Sequence, residues 1–234
     1  MPELPPAMHI PDGFLSPGVA AALFVVAVAV VGRGLRDAEA RMDESRVPML
    51  GVLAAFIFAA QMLNFPVAGG TSGHVLGAAL AAVLLGPSTA CVVMAVVVLV
   101  QALAFADGGL TALGANVVNM GVVGALLAGF CLSAGVRLLD PGRTLYLGIV
   151  AVVAWLAVVA GAAATSAELA LSGTVPLDTV LPPMLAVHAL IGVGEAVVTV
   201  AAVGAVLATR PDLIAIGDGR RLVESDAAPE GVVA

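Results

Sequence analysis

Long apolar stretches alternate along this chain with short connectors rich in glycine, proline and charged residues, and the alternation predicts a bundle of helices. Seven stretches stand out: Leu15 to Leu35, Pro48 to Phe65, His74 to Leu85, Ser88 to Ala106, Ala115 to Leu139, Leu145 to Ala167, and Leu181 to Thr209. The connectors are Arg36 to Arg46, Asn64 to Gly73, the Gly86-Pro87 break, Asp107 to Gly114, Asp140 to Arg143, and Ser172 to Thr179. A helix needs about 20 apolar residues to cross a hydrocarbon core, whereas barrel strands would read as short alternating segments, so these continuous runs predict an all-α integral membrane protein of about seven spans. The third stretch is short. A tilted helix, one packed inside the bundle and one continuous with the preceding loop all suit it, and six spans is the competing count.

Composition strengthens that reading: 61% of the 234 residues are hydrophobic and 11% charged, with a mean hydropathy of +1.13. A water-soluble surface cannot be built from such a composition. Charge then orients the bundle. With seven spans and the N-terminus outside, all nine arginines fall on the cytoplasmic side, as the positive-inside bias requires. The opposite face then holds Glu3, Asp12, Asp107, Glu168 and Asp178 without a base, a face that attracts cations. Three units follow: an extracytoplasmic N-terminal segment (1–14), a transmembrane bundle (15–209) and a polar cytoplasmic tail (210–234) expected to lie loose in water. The first span lacks a basic leader and a clear cleavage site and is read as retained.

The chain contains no lysine, which excludes a Walker A loop and hence ATP hydrolysis by this chain through that motif. A net charge of −7 argues against nucleic acid, and Cys91 and Cys131 lack any paired spacing. The chemistry rests on three histidines at the edges of apolar runs: His9, His74 and His188. A peptide beginning Met-His can chelate a metal through its terminal amine, the next amide nitrogen and the imidazole, leaving an in-plane position for another imidazole. That donor set suits Ni(II) or Cu(II), with Co(II) less strict. His9 and His74 fit the two imidazole positions.

Asp12, three residues after His9, is either an acceptor that orients the site or a turn residue before Gly13. Asn116 and Asn119 share a helix face; holding the 107–115 loop over the pocket and simple capping or interhelical bonding suit them equally. Glu195 falls inside the last span, where a charged acid is costly, and is expected to be buried in the bundle, either protonated or hydrogen-bonded to groups such as Gln61 or Asn64, as a lock for the helices rather than part of an ion path.

Four segments in order, Met8-His-Ile-Pro-Asp-Gly-Phe-Leu-Ser16, Gly69-Gly-Thr-Ser-Gly-His74, Asp107-Gly-Gly-Leu-Thr-Ala-Leu-Gly-Ala-Asn116 with Asn119-Met120, and His188-Ala-Leu-Ile-Gly-Val-Gly-Glu195, resemble the membrane substrate-binding component of cobalt and nickel energy-coupling-factor ABC transporters. The resemblance runs from Met8 to about Thr209. It implies metal ligands at Met8 (amine), His9 (amide and imidazole) and His74, with His188 on the cavity wall. It also implies Co(II) or Ni(II) as transported substrate, no permanent cofactor and a prokaryotic plasma membrane. The implied partners are a coupling membrane subunit, two cytosolic ATPases and a small accessory membrane subunit. One departure stands out: seven residues precede Met8, whose nitrogen is therefore an amide unless translation starts there or the segment is removed. The competing class is a proton-coupled carrier or channel using Glu195. An enzyme is disfavoured, since no His-Glu-x-x-His segment is present.

Overall fold

The computed structural model describes residues 9–41, 47–62, 65–67 and 71–227. Met8 and Asn64 lie outside the described residues. The elements run α1 (Pro17–Arg41), α2 (Val47–Met62), a short antiparallel pair β1 (Phe65–Val67) and β2 (Thr71–Gly73), α3 (Ala78–Leu85), α4 (Pro87–Phe105), α5 (Leu113–Val117), a π-helical segment (Val118–Val123), α6 (Gly124–Leu139), α7 (Arg143–Leu171), α8 (Leu177–Thr209), a 3-10 turn (Pro211–Leu213) and α9 (Gly219–Ala227). Five helical stretches are long and apolar enough to cross a membrane: 17–40, 87–105, 113–139, 143–171 and 177–209. The other two expected spans fall short, α2 with 16 residues and α3 with eight.

The outside of the bundle is apolar, with Phe24, Val25, Val28, Phe130, Val152, Leu190 and Val197 exposed, whereas Gln61, Gln101, Asn116, Asn119, Thr165, Glu168 and Glu195 are buried. That inversion is what hydrocarbon solvent demands: the polar groups must find partners within the bundle. Small residues bring the helices close. A side chain at Gly124 would strike Ala78 and Leu76, and one at Gly129 would strike Pro87, so these glycines serve internal packing.

The third stretch is the centre of the fold. Ala78 to Leu84 are all buried, so α3 lies inside the bundle. At about 1.5 Å per residue it is only about 12 Å long, and the four residues before it, His74 to Gly77, are not helical. It is therefore a half-helix preceded by irregular chain, an arrangement a membrane tolerates only where protein surrounds the backbone. Glycine marks both ends: Gly77 and Gly86 have φ of 79°, a region other residues rarely adopt, and Pro87 opens α4 immediately afterwards.

The bundle has two chemically distinct ends. Arg33, Arg137, Arg143, Arg210 and Arg221 belong to one, where the turn from α6 to α7 meets the chain's last segments. There residues 211–227 depart from the loose tail expected. Ala215 and Ile216 donate their N–H groups to Val83 O at the end of α3, Tyr146 donates to Ile216 O at 2.7 Å, and Arg221 pairs with Asp140 at 2.5 Å. Leu222 on α9 is buried against the bundle. The tail is held because the N–H groups of Ala215 and Ile216 both bond the Val83 carbonyl in the last turn of α3. The other end gathers the histidines.

Candidate metal centre

His9 precedes α1, and the segment that carries it is tied down by main-chain recognition. Asn116, in α5, accepts from Ile10 N at 2.8 Å and donates to Ile10 O at 3.1 Å, reading the peptide group as a neighbouring strand would. Gly109 N donates to Ile10 O at 2.9 Å. Asp12 accepts from both the amide and the hydroxyl of Thr111 at 2.6 Å, bonds that hold its carboxyl below the ordinary range. The 107–112 loop is thus fastened to the N-terminal segment at three points. Asp12 meets both expectations at once: it lies in the turn before Gly13 and accepts from the Thr111 backbone. Asn116 likewise fixes the N-terminal segment and caps nothing.

These restraints bury His9 to 6% exposure with neither ring nitrogen hydrogen-bonded, and they place its ring 5.1 Å from that of His74 at 61°. Asp107 stands 3.7 Å from His9 Nδ1, too far for a hydrogen bond. Burial, and then the neighbouring His74, push the His9 pKa down to about 4 against the opposing pull of Asp107, so the imidazole is neutral at physiological pH. A neutral ring with its nitrogens free is the form that binds metals. Gly108 makes this close approach possible: its φ is +90°, and a methyl there would lie 2.9 Å from Asn116 Nδ2 and 3.3 Å from His9 Nδ1.

His74 begins the irregular stretch before α3. Its Nδ1 lies 2.8 Å from Val75 O, which makes Nδ1 the protonated nitrogen and leaves Nε2 with the lone pair. His188, buried in α8, is set in the same way by Met184 O at 2.8 Å. Glu195 differs from expectation. Its oxygens accept from Leu76 N at 2.6 Å and Gly77 N at 2.8 Å, main-chain donors, and Gln61 instead donates to Leu76 O at 2.6 Å while accepting from Gln101. Asn119 lies apart from the histidines' immediate ties, donating to Thr165 at 3.1 Å and to Glu168 at 2.7 Å; Glu168, expected on the outer face, is buried against it.

The structure therefore brings His9 and His74 together, with Asp12 and Asn116 supporting them, and it adds Asp107, Gly108 and Thr111, which reading the motif as a loop did not single out. The signal was available: Asp107-Gly-Gly combines a carboxylate with two residues that admit close backbone approach. Among the described residues no three His, Cys, Asp or Glu side chains converge on one point, so the side chains alone do not form a conventional cluster.

A polytopic helical bundle with two imidazoles facing each other beneath a fastened loop defines a membrane protein with a candidate transition-metal site. Residues 9–213 match the CbiM family, described as the cobalt uptake substrate-specific transmembrane region, and the chain belongs to that family. It is 39% identical over 210 residues to a putative metal transport protein of Haloquadratum walsbyi, covering 88% of this chain and 93% of that one. It is 35% identical over 223 residues to the fused nickel transport protein NikMN of Rhodobacter capsulatus, covering 89% and 64%, and 36% identical over 219 residues to the cobalt transport protein CbiM of Geobacter sulfurreducens, covering 89% and 62%. Against those two the chain spans less than two thirds of the relative's length. The crystal structure of a truncated transition metal transporter superposes with a TM-score of 0.76 at 31% identity, over 85% of this chain and 98% of that one. The protein is a multi-pass membrane protein of the cobalt and nickel transport type.

Proposed function

We propose that this chain is the substrate-capture subunit of an energy-coupling-factor ABC transporter that imports Co(II) or Ni(II), bound by nitrogen donors at the histidine end of the bundle. The observation that carries the reading is His9, a buried imidazole with both nitrogens unpartnered and facing His74. An orphaned buried polar group costs about 1–3 kcal/mol, and a bound ion is a standard reason for a protein to keep one. His9 contributes its imidazole and amide nitrogen, His74 its Nε2, and Met8 its amine in a chain that begins there. Backbone donors explain how a site can exist without three converging side chains. His188 lines the cavity, and Asp12 and Asn116 hold the chelating segment.

The histidine end faces outside and the arginine end the cytoplasm of a prokaryotic plasma membrane, with the N-terminal segment, the bundle and the C-terminal residues as three working parts. Capture would occur under the 107–112 loop, and delivery inward when separate cytosolic ATPases act through a coupling membrane subunit, with a small accessory membrane protein. The fused relatives support association with further transporter components. A proton-coupled carrier built on Glu195 is less well supported, since both its oxygens are engaged by main-chain N–H groups.

Calorimetry and metal analysis with Ni(II) and Co(II) test the reading on the full chain and on a form starting at Met8. Tighter binding by the Met8 form, abolished by His9→Ala and by His74→Ala, is expected. Equal weak binding by every form and variant would overturn it.

A further inference from the structure

Helices leave their first N–H groups without partners, and α3 begins inside the bundle where no water reaches them. No side chain of its own segment caps it: Gly77 occupies the cap position with φ 79°. The partner comes from another helix 118 residues away. Glu195 of α8 accepts from Leu76 N and Gly77 N, one oxygen for each. Gln61 of α2, itself held by Gln101 of α4, takes Leu76 O. Both polar groups of the Leu76 peptide are thus satisfied from outside, by α8 and α2, two residues after His74.

We propose that Glu195 is a positioning residue for metal capture, capping α3 from α8 and so fixing the register of His74 against His9. This rests on the metal reading above. Without Glu195, Leu76 N and Gly77 N can regain acceptors by winding residues 74–77 into α3, because helical N–H groups bond the carbonyl four residues back. Each residue added to a helix turns the chain by about 100°, which would swing His74 away from His9. The acid that a membrane span otherwise excludes is retained because its two oxygens match two adjacent N–H donors. Glutamine at the same place offers one acceptor and turns an amide N–H toward the second donor.

The test uses Glu195→Gln in the form of the protein that binds Ni(II) more tightly, purified in lipid nanodiscs, with His74→Ala in parallel. The expected result is a folded protein whose Ni(II) affinity falls about ten- to hundredfold and whose residual Ni(II) ligand-field absorption is shifted, reporting altered donor geometry. Affinity within twofold of the parent, or weakened binding with an unshifted spectrum, would overturn the proposal. If Glu195→Gln does not fold, Glu195→Asp decides, because it keeps the acid but is one methylene too short to reach both N–H groups: a loss of affinity of about tenfold with the same spectral shift supports the role, and no change overturns it. Should His74→Ala also leave binding intact, the metal reading itself has failed; loss in His74→Ala with none in Glu195→Gln removes only the positioning role.

Discussion

The two ends of the bundle use polar residues in opposite ways. At the arginine end the pairs are exposed and mostly local: Arg33 with Asp37 one turn on, Arg210 with Asp212 two residues on, and Arg221 with Asp140 across the turn from α6 to α7. Water and salt screen such pairs, and they contribute little to which geometry the chain adopts. At the histidine end the polar side chains are buried and reach across the sequence to main chain: Asn116 to Ile10, Gln61 to Leu76, Glu195 to Leu76 and Gly77. In a low-dielectric interior each such bond is costly to leave unmade, so together they specify one arrangement. Exposed charge pairs gather at one end; buried hydrogen bonds organise the other.

That contrast is open to direct attack. The largest effect is expected from His74→Ala or His9→Ala, which should lower Ni(II) affinity by more than about a hundredfold in calorimetry while leaving the protein folded. Asn116→Leu comes next, because it strands Ile10 N while Ile10 O keeps the N–H of Gly109; a loss of about 1–3 kcal/mol in thermal unfolding, together with weaker metal binding, is the expected outcome. Acid should act at the histidine end before it acts on the exposed pairs of Asp140 and Asp212. The folded state holds His9 at about pKa 4 against an ordinary 6.5, so the unfolded chain binds the proton first. His9 therefore withdraws stability from the metal-free protein as pH falls from 6.5 to about 4 and has no such effect above 6.5. NMR of labelled histidine should place its midpoint near 4; a midpoint near 6.5 would mean the ring is not buried as described. At the arginine end Tyr146→Phe, which releases Ile216 O, should cost about 1 kcal/mol of stability and leave Ni(II) affinity unchanged. Arg221→Ala should do less still, detectable at most as a small shift in unfolding temperature. A metal-binding defect in either of these two variants would erase the contrast.

The sequence by itself determined the class of the molecule and most of the places where the chain turns, because both depend on hydrophobicity counted along a line. It also singled out His9 and His74, since imidazoles at the edges of apolar runs are conspicuous. It left the role of the third stretch open among three arrangements, and tertiary structure chose the one inside the bundle, broken between His74 and Gly77. Glu195 shows the limit most clearly. Hydropathy marks it as a costly residue that needs a partner, but the partner is a pair of N–H groups, and every residue but proline has one. Which N–H groups lie within reach of a carboxylate depends on how α8 packs beside α3. The same holds for Asn116 against Ile10, for Asp107 beside His9, and for the tail, whose polar composition predicts solvation until the carbonyl of Val83 offers it an acceptor. Hydrophobic burial is set residue by residue, whereas hydrogen bonds are set pair by pair, and only the folded chain decides the pairs.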